Sequence, residues 1–520
     1  MRWTSITLGN KNLGLGVIVF GVVALSVLIA ATLTRGPSLG AYLPWARALL
    51  QGTPAPLDDT VTLSPTGFPL FHWYPGTGVF LGFSKLLSGG AVDLMRSAQL
   101  AGSIAILVTL TFAAWLFYDI AGGRLGWVVL GLALLLVATN TGYYIRLLAA
   151  ELIAQALLVS VVWLAWKPRA IGNMELGGIG ALTALLVTVR MQSSIMAAPA
   201  LILGALRWSE KRPHSQRVWS ILTVAVPLSL GLFVVLQVNY WMTGDWTRPA
   251  YYFGNDEFKS ADLTAPYLKL VLFDREAGIF SCTPFVALGL CASLVHILDR
   301  RLERAYRIFY LVSLLVGFAQ IWMIAGFYSW AGGGWIFGSR YLNLLSFYAV
   351  IAVIHLCSSD RVAWAAKTFL LGVAVACAGY TAYLPRKPQA LAELADIRRT
   401  AAVTSVAIVV GFVAAAVAVF LVRRSFPVSS VTAKLIAIFS IFSLVVEVSQ
   451  VARLRVGAVP FQARELASPS PQFLYRNRFD VRNFEKDLKS GVALFKWPED
   501  VQRAMTAFLE EEKQHTAIRR

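Results

Sequence analysis

Runs of about twenty uncharged, apolar residues recur along this chain, separated by short connectors rich in arginine and lysine. No other feature constrains the fold as much, because the hydrocarbon core of a bilayer demands a helix of that length. Thirteen runs read this way: 13–32, 97–118, 125–142, 148–166, 177–190, 192–206, 218–238, 279–297, 308–327, 341–356, 364–384, 401–421 and 434–452. Two of them, 177–190 and 192–206, are short for a full crossing. They form either one long span or a hairpin of tilted, half-buried helices, and counting them as two keeps the charge pattern consistent. The expected fold class is all-α, a polytopic transmembrane helical bundle of about thirteen spans.

The composition agrees. Apolar residues make up 57% of the chain and charged residues only 14%, where a soluble chain carries about a quarter charged. The net charge of +18 does not point to nucleic acid, because the basic residues sit in the connectors. Lys167, Arg169, Arg207, Lys211, Arg212, Arg217, Arg300, Arg301, Arg304, Arg307, Arg361, Arg423, Arg424 and Lys434 all fall on one predicted side. Basic connectors stay in the cytoplasm, where they also attract anionic lipid headgroups. The connector 385–400, with Arg386, Lys387, Arg398 and Arg399, is the exception on the other side. The run 13–32 follows Arg2 and Lys11, is too long for a signal-peptide core and lacks an obvious cleavage site, so the N-terminus is expected in the cytoplasm. Cys282, Cys291, Cys357 and Cys377 lie in or beside apolar runs without metal-type spacing and read as small core residues.

Three non-cytoplasmic segments are longer or odder than a connector requires: 33–96, 239–278 and 328–340. The first contains Tyr42, Trp45, Asp58 and Asp59, then Thr66-Gly67-Phe68-Pro69 and Phe71-His72-Trp73-Tyr74-Pro75-Gly76 leading into an apolar piece suited to an interfacial helix. The second contains Asp245, Trp246, Tyr251, Tyr252, Asp256 and Glu257. An aromatic belt accounts for any single Trp or Tyr here, but not for the acids. The domain expected from this organisation covers 1–452, followed by a polar tail, 453–520, with an amphipathic helix around Val481 to Glu512 and an extracytoplasmic location.

Gly332-Gly333-Gly334-Trp335-Ile336-Phe337-Gly338-Ser339-Arg340-Tyr341-Leu342 is the most specific stretch. Its glycines permit close backbone approach to a ligand. Arg340 follows where a span enters the bilayer; a guanidinium there is costly unless paired, and its planar fork suits a phosphate or carboxylate. A snorkelling arginine at a helix end is the competing explanation. Glu151, near a span start in Ile145-Arg146-Leu147-Leu148-Ala149-Ala150-Glu151, also invites a partner. Arg146 lies five residues earlier, off the spacing of one helix face. Arg190 stands between the two short runs. No Walker motif, dinucleotide Gly-x-Gly-x-x-Gly or Asp-x-Asp is present.

On these residues the sequence resembles the GT-C superfamily of membrane glycosyltransferases, which includes the protein O-mannosyltransferases and the lipid A aminoarabinose transferases. Three stretches carry the resemblance, within about residues 10 to 360: Gly333-Gly334 through Arg340-Tyr341, Leu272-Phe273-Asp274-Arg275-Glu276-Ala277-Gly278-Ile279-Phe280-Ser281-Cys282-Thr283-Pro284, and Thr66 through Gly76. It implies transfer of a sugar from a polyprenyl-phosphate donor to a lipid, glycan or protein acceptor at the outer face of a bacterial cytoplasmic membrane. Such chemistry needs a carboxylate base and cations for the leaving phosphate. The family's acid just after the first span is missing from Arg35-Gly36-Pro37-Ser38-Leu39-Gly40-Ala41, and Asp58 and Asp59 are the nearest replacements. The family's second acid is matched by Glu151. The expected site is thus Asp58, Asp59 and Glu151 as catalytic candidates, with Tyr42, His72, Tyr74, Arg146, Arg190, Tyr251, Gly333, Gly334, Arg340 and Tyr341 binding substrate. No cofactor is expected, no histidine-based metal site is visible, and a divalent metal stays open. A transporter or flippase of a lipid-linked substrate is the rival reading, although no internal repeat is seen. A GT-C-shaped protein that binds lipid without catalysis is the third.

Overall fold

The computed structural model describes residues 76–80, 82, 94–142, 150–167, 171–210, 214–247, 264–265, 267–273, 278–326, 342–360, 362, 364–383, 506 and 510. Among them every regular element is helical. Ten of the thirteen expected runs coincide with helices; 13–32, 401–421 and 434–452 lie outside the described residues, as do most of the loops 33–96, 239–278 and 328–340 and nearly all of the tail.

The helices are α1 (Leu94–Ile120), α2 (Leu125–Ala133, continuing as a π-helix over Leu134–Ala138), α3 (Ala150–Trp166), α4 (Asn173–Ser194), α5 (Ala198–Ser209) and α6 (His214–Thr243). After these come α7 (Leu268–Phe273), α8 (Ile279–Cys282), α9 (Phe285–Leu298), α10 (Arg304–Ala325), α11 (Asn343–Ser358) and α12 (Trp364–Tyr383). By length and composition, four stretches can cross a membrane: Ala101–Ile120, Asn173–Ser209, Ile221–Trp241 and Arg304–Ala325. Shorter apolar helices stand among them.

The stretch Asn173–Ser209 is a hairpin. Trp208 Nε1, at the end of α5, donates to Asn173 Oδ1 at the start of α4 (2.8 Å). A methyl group on Gly204 would lie 2.9 Å from Ile179 Cδ1. Between the arms the backbone leaves helical geometry at Arg190 (φ −159°, ψ 82°), and a single 3₁₀ turn, Ile195–Ala197, leads into α5. The two short runs are therefore two antiparallel helices, with Arg190 near the apex.

Helix ends sort into two sets. At the basic end, Arg207 Nη1 donates to the carbonyls of Trp166 (2.9 Å) and Lys167, closing the end of α3. Arg124, between α1 and α2, reaches Asp360 (2.7 Å) and the Ser358 carbonyl past the end of α11. Lys167 faces Glu175 at 3.8 Å. Just inside this end, His296, Tyr310 and His355 stack, with a 2.8 Å hydrogen bond between the Tyr310 hydroxyl and His355 Nδ1. The opposite end gathers the starts of α3, α9 and α11, the end of α10, and the hairpin apex.

Two helices form the axis of the bundle. Nearly every residue of α3 and of α11 is buried, as expected of helices that are apolar all round. By contrast α6, interrupted by Pro227, leaves Ile221, Val226, Leu230 and Phe233 exposed as a lipid-facing stripe. Its one packed face meets α4 through small residues, so that a Cβ on Gly231 would lie 2.8 Å from the Ala184 carbonyl oxygen. Without a hydrophobic driving force between helices in lipid, such close approach supplies the attraction. Cys282, Cys291, Cys357 and Cys377 are buried and form no disulfide, as expected of core residues.

Candidate functional site

The first turn of α3 carries Glu151, and the apex of the α4–α5 hairpin carries Arg190. These two side chains form an ion pair, Arg190 Nη1 on Glu151 Oε1, with only 5% and 2% of their surfaces exposed. The backbone leaves helical geometry at Arg190 itself. Removing two charges from water is costly, and their attraction offsets the cost only in good geometry. The chain thus contains a charged pair inside an apolar bundle, at the end opposite the basic connectors.

One helical turn below Glu151, on the same face of α3, lies Gln155. Its Nε2 donates to Thr141 Oγ1 (2.9 Å), and its Oε1 accepts from Asn343 Nδ2 (3.2 Å). Thr141 follows the π-helix, and its backbone amide donates to Thr139 Oγ1 (3.2 Å). In the same turn Asn140 Oδ1 accepts from the Thr283 hydroxyl. These polar side chains are all buried. Asn343 Oδ1 is a buried acceptor with no hydrogen-bond partner among the described residues.

Sequence stretches singled out earlier meet this region. Thr283 belongs to Leu272–Pro284, and Asn343 follows Leu342 at the close of the glycine-rich stretch. Gly76, ending Tyr74-Pro75-Gly76, begins a helical turn over 76–80 that packs on α4 just before Arg190. A Cβ on Gly76 would stand 2.6 Å from Thr188 Oγ1 and 2.8 Å from the Val189 nitrogen. Glycine is the one residue that fits there.

No family model matches the sequence, and neither does any curated protein. Two solved structures are similar to it. One is ArnT from Cupriavidus metallidurans bound to undecaprenyl phosphate, with 14% identity, 88% of this chain and 84% of that chain covered, and a TM-score of 0.44. The other is ArnT from the same organism in the apo state, with 14% identity, coverage of 86% and 79%, and a TM-score of 0.41.

Of the thirteen expected site residues, Glu151 and Arg190 are described, and they touch. Asp58, Asp59, Tyr42, His72, Tyr74, Arg146, Tyr251, Gly333, Gly334, Arg340 and Tyr341 lie outside the described residues. Among the described residues no three His, Cys, Asp or Glu side chains group as metal ligands. Sequence reasoning missed Gln155, Asn343, Asn140 and Thr283. For Gln155, Asn343 and Asn140 the signal that could have found them is a carboxamide in or beside an otherwise apolar run, since a buried amide needs partners.

Proposed function

We propose that this protein is a multi-pass glycosyltransferase of the bacterial cytoplasmic membrane. It moves one sugar from a polyprenyl-phosphate carrier to an acceptor hydroxyl at the outer face, with the basic end and the N-terminus in the cytoplasm. The observation that carries this reading is the buried Glu151–Arg190 pair, at the end of the bundle where Gly76, Thr283 and Asn343 also lie. An ionisable pair within the membrane domain is a functional feature by default.

In the reaction the acceptor oxygen attacks the anomeric carbon while the carbon–oxygen bond to phosphate breaks. The acceptor proton passes to a carboxylate, for which Asp59 or Asp58 is assigned. Polyprenyl phosphate leaves with the bond electrons. Arg340 and Arg190 stabilise the phosphate charge, and Glu151 orients Arg190 and limits its positive field until donor arrives. The glycine-rich stretch lets backbone amides approach the phosphate.

The test is transfer of labelled sugar from defined undecaprenyl-phosphate sugars in nanodiscs, together with mass spectrometry of co-purifying lipids. Asp59→Asn is expected to abolish transfer and spare donor binding. If Asp58→Asn, Asp59→Asn and Glu151→Gln all transfer normally, the assignment of bases is wrong. Donor binding without transfer by the unmodified protein would establish the binding-only alternative.

A further inference from the structure

The ion pair cannot hold its own place. Glu151 sits in the first turn of α3 and Arg190 at a break inside α4, positions where the helical hydrogen-bond ladder restrains the backbone least. What fixes the rotation and height of α3 at that point is the carboxamide of Gln155, one turn below. It is held on one side by Thr141, in the turn after the π-helix, and on the other by Asn343, the first residue of α11. The Asn140–Thr283 bond anchors that same turn to the start of α9. The π-segment is part of the device, because a π-turn re-aims the residues that follow it and such turns recur at functional sites. The network leaves Asn343 Oδ1 buried and without a hydrogen-bond partner among the described residues.

We propose that Gln155, with Thr141 and Asn343, is a positioning residue: its amide bridge between the turn after α2 and the start of α11 sets the place of the Glu151–Arg190 pair and so of the hairpin apex. In its consequence for ligand binding this rests on the proposed function; in its structural content it does not.

The experiment uses the full chain in nanodiscs, with amide hydrogen exchange at Arg190–Ala197 and the affinity for undecaprenyl phosphate as separate readouts beside the melting temperature. Thr141→Val, Gln155→Leu and Asn343→Leu are each expected to speed exchange at the apex about tenfold and to weaken undecaprenyl phosphate about tenfold. The melting temperature falls only modestly, because single hydrogen bonds between membrane helices contribute little to stability, and its fall does not track the two readouts across the three variants. Thr141→Ser, which keeps the hydroxyl, restores both readouts. Gln155→Leu with Asn343→Leu does no more than either alone, since both cut one bridge. Unchanged exchange at the apex in all three variants overturns the proposal, as does a loss that follows melting temperature and is not restored by Thr141→Ser. If the unmodified protein does not bind undecaprenyl phosphate, the proposed function fails, and the exchange measurement still decides the positioning role.

Discussion

The two ends of the bundle treat charge in opposite ways. At the basic end Arg124 holds Asp360 in the open, with 86% of the carboxylate side chain exposed, and Arg207 caps carbonyls at the end of α3. At the other end Glu151 and Arg190 are drawn into the interior, and neutral amides are buried beneath them. The first arrangement serves orientation and helix ends, and water shares its cost. The second has no such relief. Charge maintained without solvent help is what makes this end the candidate site.

The largest expected effect tests that asymmetry directly. Glu151→Gln leaves the guanidinium of Arg190 buried without its carboxylate and should cost about 3–5 kcal/mol in unfolding experiments. Combining Glu151→Gln with Arg190→Met should recover most of it, because the penalty belongs to the uncompensated charge. If the single variant melted like the unmodified protein, the pair would be as solvent-shared as Arg124–Asp360 and the contrast would disappear.

Gly76→Ala comes next. The added methyl group meets Thr188 and the Val189 nitrogen within 2.8 Å, so the turn at 76–80 must move off α4. Overpacking of this kind costs about 1–3 kcal/mol, read as a lower melting temperature. At the hairpin base, Trp208→Phe removes the bond to Asn173 and should cost about 0.5–1.5 kcal/mol by the same measurement.

The smallest effect belongs to the exposed pair. The hydrogen bond and charge of Arg124 hold the Asp360 carboxyl below the usual carboxylate range. A depressed folded-state pKa adds stability that is present above the unfolded value and lost as pH falls through the folded one. The melting difference between the protein and Asp360→Asn should therefore be constant at neutral pH and close only below about pH 4. It should also shrink in high salt.

How much of this was legible in the sequence differs between the two ends. The alternation of apolar runs and basic connectors placed ten helices, because apolar runs between charged connectors mark where helices can bury themselves, although only four described stretches are long enough to cross a bilayer. Glu151 and Arg190 stood out for the same reason, as ionisable residues beside apolar runs. That they are partners was not legible: they sit on different helices, and spacing rules speak only for one helix face. Gln155 and Asn343 were missed because a neutral amide leaves the hydropathy of its run nearly unchanged. The π-helix, Leu-Leu-Leu-Val-Ala, has no composition that sets it apart from an α-helix.

The break at Arg190 has a consequence for biogenesis. A helical hairpin returns the chain to the side from which it started, so it adds an even number of crossings. The parity of everything after Ser209 depends on that. Were Asn173–Ser209 to insert as one straight rod, α6 and every later helix would face the opposite way to the orientation proposed here, with the connectors carrying Arg300, Arg301, Arg304 and Arg307 on the other side. In the orientation proposed here, the bend at Arg190, held by its pair with Glu151, keeps every later helix on its proposed side.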